Sequence, residues 1–241
     1  MKKIILILII LFEVFSLYSQ EETEEEIASI FESSTSEYTD EISKTANEFF
    51  GTDAGIKGQS GKWLSGRSSV LIEKGFSENT YEIDKISDSD LSTAWVEGAK
   101  GAGKEEYVTS TCFIDYSSNE NTEKKVRVEL RLNNCFCKNN QTFKKNNRVK
   151  ELKIAIYEVP VAATQFFYCV DGTPVILHEG KVNLSDIMTE QVFSFDLVLK
   201  GKHEYILPLI LAKCTIKDVY KGIDYDDTCI SELKISAKFI E

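Results

Sequence analysis

The chain has 241 residues, 42% hydrophobic and 28% charged, with a formal net charge of −11 and a pI near 4.9. That length buries a full core without staples, and the composition is that of one globular domain plus extras. So acidic a surface repels polyanions, which excludes nucleic acid as a natural partner.

The N-terminus reads as a signal peptide over residues 1–19. Lys2 and Lys3 precede an apolar run from Ile4 to Phe12, and small residues follow at Ser16 and Ser19, with cleavage expected after Ser19. The run is too short to span a bilayer, which takes about 20 residues, and Glu13 interrupts it; an uncleaved anchor is the alternative. Lipid attachment needs a cysteine at the cleavage site, and the first cysteine is Cys112. The expectation is an exported chain (periplasmic, secreted or at the cell surface) with no membrane span.

Residues 20–66 read as an acidic, serine-rich spacer. Gln20 to Glu26 is nearly all acidic, and Ile27, Ile30, Phe31, Tyr38, Ile42, Ala46, Phe49 and Phe50 then follow helical spacing over 27–50. Ser33 to Ser36 weakens that helix by competing for backbone bonds. It is either a helix that docks on a partner or a partly ordered spacer. Gly51 to Gly66 is a glycine- and serine-rich loop or linker.

From residue 67 to 241 the period becomes two. Val108, Cys112, Ile114 and Tyr116 share one side of a strand; Val126, Val128, Leu130 and Leu132 alternate with Arg127, Glu129 and Arg131 in the next. Leu152, Ile154 and Ile156 mark a third, Phe193 to Leu199 a fourth, and Leu233, Ile235, Ala237 and Phe239 a last. Tyr205 to Ile216, more evenly apolar, suits a central strand. Repeated strands with no helical pattern between them predict an all-β, antiparallel sandwich.

The six cysteines, Cys112, Cys135, Cys137, Cys169, Cys214 and Cys229, favour disulfides in an exported chain, with 15 pairings open. Cys135 and Cys137 are too close for a zinc knuckle and no C-x-x-C occurs. Cys112 and Cys214, mid-strand, suit buried thiols.

The chemistry concentrates between Tyr81 and Glu106. Asp88, Asp90 and Thr93 put three oxygen-bearing side chains on one turn, where they either bond their own backbone or meet at a hard cation such as calcium. It is not an EF-hand, because position 12 from Asp88 is Ala99 and Thr93 stands where that loop needs glycine. Trp95, just after, would pin the turn to a core. Gly98 to Lys104 spells most of G-x-x-x-x-G-K, but Glu105 replaces the magnesium-binding hydroxyl and no helix is expected next, so a nucleotide is excluded and the glycines serve a tight loop.

Further on, Asn147 and Arg148 sit in a basic cluster with Lys144, Lys145 and Lys150. Arginine backed by amides could bind sugar hydroxyls or a carboxylate, or pair with Glu97 or another local acid to brace loops. Glu97 carries the same two readings. Neither His178 nor His203 belongs to H-E-x-x-H, no G-x-S-x-G occurs, and Asp224, Asp226 and Asp227, the acids that would serve a glycosidase, read better as a loop before the last strand.

Asp88-Ser-Asp90-Leu-Ser-Thr93-Ala-Trp95 resembles the D-G-D-x-x-T-x-W turn of discoidin, or coagulation-factor type C, domains, which are galactose-binding-like β-sandwiches. The runs Thr93 to Glu106, Leu130 to Ile154 and Tyr220 to Ile235 are similar to one branch, the glycan-binding discoidin-like domain attached to bacterial NAD glycohydrolases. The resemblance covers roughly Ser68 to the C-terminus. It implies a jelly roll and a structural calcium held by Asp88, Asp90 and Thr93, with Glu232 completing the shell. It also implies a non-catalytic module whose partner is a glycan or glycoconjugate, with Glu97, Asn147 and Arg148 as ligand-binding candidates. Relatives that bind a protein or a lipid headgroup give the alternative, a surface adhesin or scaffold; an unrecognised hydrolase is the third reading. Ser89 stands where the family has glycine, and Cys135-Phe136 where it has an Asn-Gly-Tyr type turn.

Overall fold

The computed structural model describes residues 65–115, 125–163, 168–170, 174–200 and 207–240. The signal peptide expected over 1–19 and the helix expected over 27–50 lie outside them. Among the described residues the strands are β1 (Gly66–Arg67), β2 (Trp95–Val96), β3 (Tyr107–Asp115), β4 (Lys125–Asn134), β5 (Asn147–Ala163), β6 (Tyr168–Val170), β7 (Val175–Asn183), β8 (Gln191–Val198), β9 (Leu207–Tyr220) and β10 (Thr228–Phe239). A 3₁₀ turn, Ile83–Ser87, precedes β2, and a short helix, α1 (Asn140–Lys145), precedes β5. Gly66, the last residue read as linker, thus opens the first strand.

The strands form two layers, β8–β4–β10 and β1–β3–β9–β5–β7. Pairing along them is antiparallel. β10 also runs parallel to β5 at Thr228–Cys229 and parallel to β3 at Ala237–Lys238, so it stitches the layers together at both ends. The result is the all-β sandwich that the alternation predicts, with β9 central between β3 and β5.

The reason lies in the period. Val126, Val128, Leu130 and Leu132 are fully buried against Leu152, Ile154 and Ile156 of β5 and Ile210, Ala212, Cys214 and Ile216 of β9. Each such aliphatic side chain contributes about 1.5–3 kcal/mol by leaving water. The intervening Arg127 faces out and pairs with Asp196 through two bonds of 2.7 and 2.8 Å.

Helix α1 departs from the expectation of strands alone. Asn139 caps it, its Oδ1 accepting from the Thr142 amide at 2.9 Å while Thr142 Oγ1 accepts from the Asn139 amide at 3.3 Å. Phe143 anchors it, 1% exposed. One turn and a half is too short to show a helical period.

The registers place the starts of β3, β5, β8 and β10 and the ends of β4, β7 and β9 at one end of the sandwich. There the connections 68–106, 135–146, 184–190 and 221–227 converge.

Candidate functional site

All seven residues singled out in the sequence lie at that end. Asp88 Oδ1 accepts from the Asp90 amide at 2.9 Å, and Asp90 Oδ1 from the Ser92 amide at 2.8 Å. Thr93 Oγ1 donates to Asp88 Oδ2, 2.7 Å away. Ser89 takes φ +64°, the left-handed region where the family has glycine. β10 supports the turn from below: Ser231 Oγ donates to the Thr93 carbonyl at 2.8 Å. Trp95 is fully buried and its Nε1 donates to the Ser69 carbonyl at 2.9 Å, so it belongs to the core.

Glu232 is 3% exposed, and neither carboxylate oxygen has a hydrogen-bond partner. Lys234 Nζ stands 3.2 Å from Oε2 and 3.2 Å from Ser89 Oγ, between β10 and the turn. Burial pushes the Glu232 carboxyl above its usual value, against the pull of Lys234. A buried carboxylate without a hydrogen-bond partner, met only at its edge by the half-exposed Lys234 ammonium and beside an oxygen-rich turn, fits a cation. Among the described residues no three His, Cys, Asp or Glu side chains cluster around one point. A metal here would therefore draw on hydroxyl and backbone oxygens as well, a mixed shell that calcium accepts.

Glu97, Asn147 and Arg148 are engaged inside the protein. Glu97 is fully buried; Oε1 accepts from the Thr228 amide at 3.1 Å and Oε2 from the Ala99 amide at 2.7 Å. Burial nonetheless raises its carboxyl to about 7. A side chain on Gly103 would meet Glu97 at 2.6 Å, which explains that glycine. The rest of the run behaves as a loop: Gly101 and Gly103 take positive φ, and β3 rather than a helix follows.

Asn147 clamps the 221–227 loop. Its Oδ1 accepts from the Gly222 amide at 2.7 Å and its side-chain amide donates to the Asp226 carbonyl. Arg148, 4% exposed, grips Asp186 with bonds of 3.0 and 2.9 Å and donates to the Asn146 and Lys221 carbonyls at 3.0 and 2.7 Å. Its partner is Asp186, not Glu97. The guanidinium holds the Asp186 carboxyl below the usual range. The basic cluster is likewise paired, Lys144 with Asp186, Lys145 with Asp224 and Lys150 with Asp218.

These braces hold an aromatic cluster that the sequence did not reveal. Phe76 lies 6.3 Å from Tyr81 between ring centroids, and Tyr81 meets Phe136 edge-on at 6.4 Å. The Tyr81 hydroxyl donates to Glu73 at 2.8 Å and is pushed up to about 12, by burial first and Glu73 next, with Tyr225 and Asp227 adding. Phe76 and Tyr225 are 57% and 52% exposed. The carbonyls of Lys144 and Lys145, unpaired within α1, accept the amides of Ile223, Asp224 and Tyr225, so the helix end presents Tyr225. Rings with flanking carboxylates can take a sugar, stacking on its C–H face and accepting from its hydroxyls.

The family described as the NAD glycohydrolase translocation F5/8 type C domain matches residues 60–236. No curated protein matches the chain. Among solved structures, a GH29 fucosidase from Ruminococcus gnavus in complex with fucose shares 14% identity at TM-score 0.35, over 72% of this chain and 24% of that one. The CBM32 domain of AlyQ, in complex with 4,5-unsaturated mannuronic acid, shares 13% at TM-score 0.32, over 71% and 92%. A CBM32 domain produced by Clostridium perfringens, in complex with GlcNAc-α-1,4-galactose, shares 16% at TM-score 0.28, over 73% and 95%. The chain thus spans about a quarter of the fucosidase. Overlaps at this level say nothing of ligand.

Proposed function

The chain belongs to the family of NAD glycohydrolase translocation F5/8 type C domains, and on that premise we propose that it is an exported, non-catalytic module that binds a glycan or glycoconjugate through the loops at one end of its sandwich. The observation that carries this reading is the gathering of Phe76, Tyr81, Phe136 and Tyr225 with Glu73 and Asp227 on three converging loops. Phe76 and Tyr225 supply ring faces, and the carboxylates accept from sugar hydroxyls. Glu97, Asn147 and Arg148 act as positioning residues, since their polar atoms hold the loops. Among the described residues no helix is long and apolar enough to cross a membrane.

A glycan array with the full chain tests the reading. Binding to a defined set of glycans is expected, weakened at least tenfold by Tyr225→Ala or Phe76→Ala, with the melting temperature little changed. A chain that binds no glycan overturns it. One observation favours a second reading, attachment to a lipid or protein surface: Ile72 and Ile223, on the same loops, are 61% and 78% exposed. Co-sedimentation with lipid vesicles, lost on Ile223→Asp, would select it.

A structural calcium at Asp88, Asp90, Thr93 and Glu232 is part of the proposal, supported by the buried Glu232 carboxylate, whose oxygens lack a hydrogen-bond partner. A cation bound only by the folded state stabilises it by about 2.7 kcal/mol at a hundredfold excess over its Kd. Chelation should therefore lower the melting temperature by about 5 °C or more. Asp88→Ala with Asp90→Ala should do the same and abolish the chelator's effect. An unchanged melt retires the calcium.

A further inference from the structure

The outward face of the five-stranded layer carries an open groove of ≈ 370 Å³, lined by side chains of β3, β5, β7 and β9 and by Glu105 at the end of the 68–106 connection. None of Phe76, Tyr81, Phe136 and Tyr225, the rings of the loop cluster, lines it. Tyr107 stands opposite Thr215, Thr215 opposite Lys153, and Ala155 lies between Lys213 and Glu179. Two short side chains, Ala155 and Thr215, thus form a floor, with Tyr107 and Tyr157 beside it. The volume falls within the range of about 300–1,000 Å³ typical of small-ligand sites.

The charges are uneven. Lys153 pairs with Glu179 and Lys217 with Glu105, the cross-strand pairs of an ordinary solvated face. Lys213 differs: among the described residues it has no carboxylate partner, and its Nζ stands 3.6 Å from the centroid of the Tyr107 ring. Burial pushes its ammonium below the usual lysine range, and Lys153 adds to the shift. Three lysines against two glutamates make this a positive patch on a chain of net charge −11. An ammonium held over a ring, with no anion of its own, awaits one.

We propose that this groove binds an acidic saccharide, its carboxylate on Lys213 and its ring over the Ala155–Thr215 floor between the two tyrosines. A phosphate dianion would face Glu105 and Glu179 at close quarters. A sugar acid brings one negative charge for Lys213 and hydroxyls that donate to those same glutamates and to Thr215. The site shares no residue with the aromatic cluster of the loops, so it stands whether or not that cluster binds a glycan.

The test uses the full chain, titrated with a hyaluronan tetrasaccharide and with its carboxyl-reduced counterpart by calorimetry at low and moderate salt. The acidic form should bind, weaken with salt, and weaken at least tenfold in Lys213→Gln and in Tyr107→Leu. Lys213→Arg and Tyr225→Ala should bind as the parent does. Thr215→Tyr fills the floor without touching Lys213 and should abolish binding, which guards against a misfolded Lys213→Gln. No binding by the parent, equal binding of the carboxyl-reduced sugar, or loss in Tyr225→Ala with Lys213→Gln intact would each overturn the proposal. The last result would move the acidic sugar to the loops.

Discussion

Between the layers, aliphatic side chains from β3, β4, β5, β9 and β10 fill one continuous core. Beneath the loops, Ala94, Val96, Cys135, Cys137, Phe143 and Cys229 form a separate and much smaller cluster, with Leu71, Tyr81, Phe136 and Met188 packed on its rim. The first gains its stability from area, which is non-directional and forgiving of shape. The second has too little area to fix four irregular connections. Around it sit Glu97, Asn134, Asn147, Arg148, Thr228, Ser231 and Glu232, all buried and polar. Fixed loop geometry at that end comes from directed bonds, and a binding surface needs fixed geometry more than it needs stability.

The staple across the small cluster offers the largest test of this contrast. Among the described residues a disulfide joins Cys135 to Cys229, 94 residues apart, while Cys112, Cys137 and Cys214 are free and buried; the side chain of Cys169 lies outside that description. Closing a loop of that length is worth about 4.7 kcal/mol in the chain-entropy account. Cys135→Ser with Cys229→Ser should therefore lower the melting temperature by about 10 °C, and dithiothreitol should do the same to the parent but nothing to the variant. A parent insensitive to reductant would mean that burial alone holds the loop end.

A smaller effect separates the two regions more sharply. Leu130→Ala opens a cavity between the layers and should cost about 2–5 kcal/mol, with hydrogen exchange rising throughout the sandwich. Arg148→Met should cost about 3 kcal/mol, the low end for breaking a buried pair, because Asp186 keeps Lys144 at 2.6 Å and is 27% exposed. Its exchange should rise selectively in 184–190 and 221–227, the loops that Arg148 ties together, and glycan binding should fall with it. Uniform exchange in both variants would erase the distinction.

The same division governs what could be read in the sequence. Val126 to Leu132 and Leu152 to Ile156 announce their burial through a period of two, and each proves fully buried. The turn at Asp88 was legible because its bonds are local, two to five residues apart. Asp186, Phe76 and Tyr225 were not, since their roles depend on which loops meet. The Arg148–Asp186 pair spans 38 residues, and no spacing rule reaches that far. That Cys135 pairs with Cys229 was closed to the sequence for the same reason. Ser89 and Cys135 are intermediate. Each replaces a residue suited to positive φ in the family pattern, and each adopts it, at +64° and +58°. The backbone there is dictated by the turn rather than by the residue.

Acid and base act oppositely on two braces of the loop end, which gives the smallest and most specific test. Asp186 is lowered by Arg148, so its contribution is present above the usual aspartate value and is lost as pH falls through the lowered one. Glu97 is raised from 4.5 to about 7, mainly by burial that outweighs its two backbone donors. The folded state therefore holds its proton more tightly than the unfolded chain. Stability from Glu97 is greatest below pH 4.5, declines as pH rises from 4.5 to about 7, and is flat beyond. At 1.4 kcal/mol per unit the decline is about 3 kcal/mol at most. Glu97→Gln keeps an acceptor for one amide and carries no charge at any pH, so it should erase this slope while Asp227 and Glu232, also raised, keep theirs. Melting temperatures of parent and Glu97→Gln, measured from pH 5 to pH 8, should thus change relative to each other, the parent losing ground as pH rises. Parallel curves would mean that the Thr228 and Ala99 amides hold Glu97 ionised throughout, and that the loop end is braced by a charge rather than by a buried neutral acid.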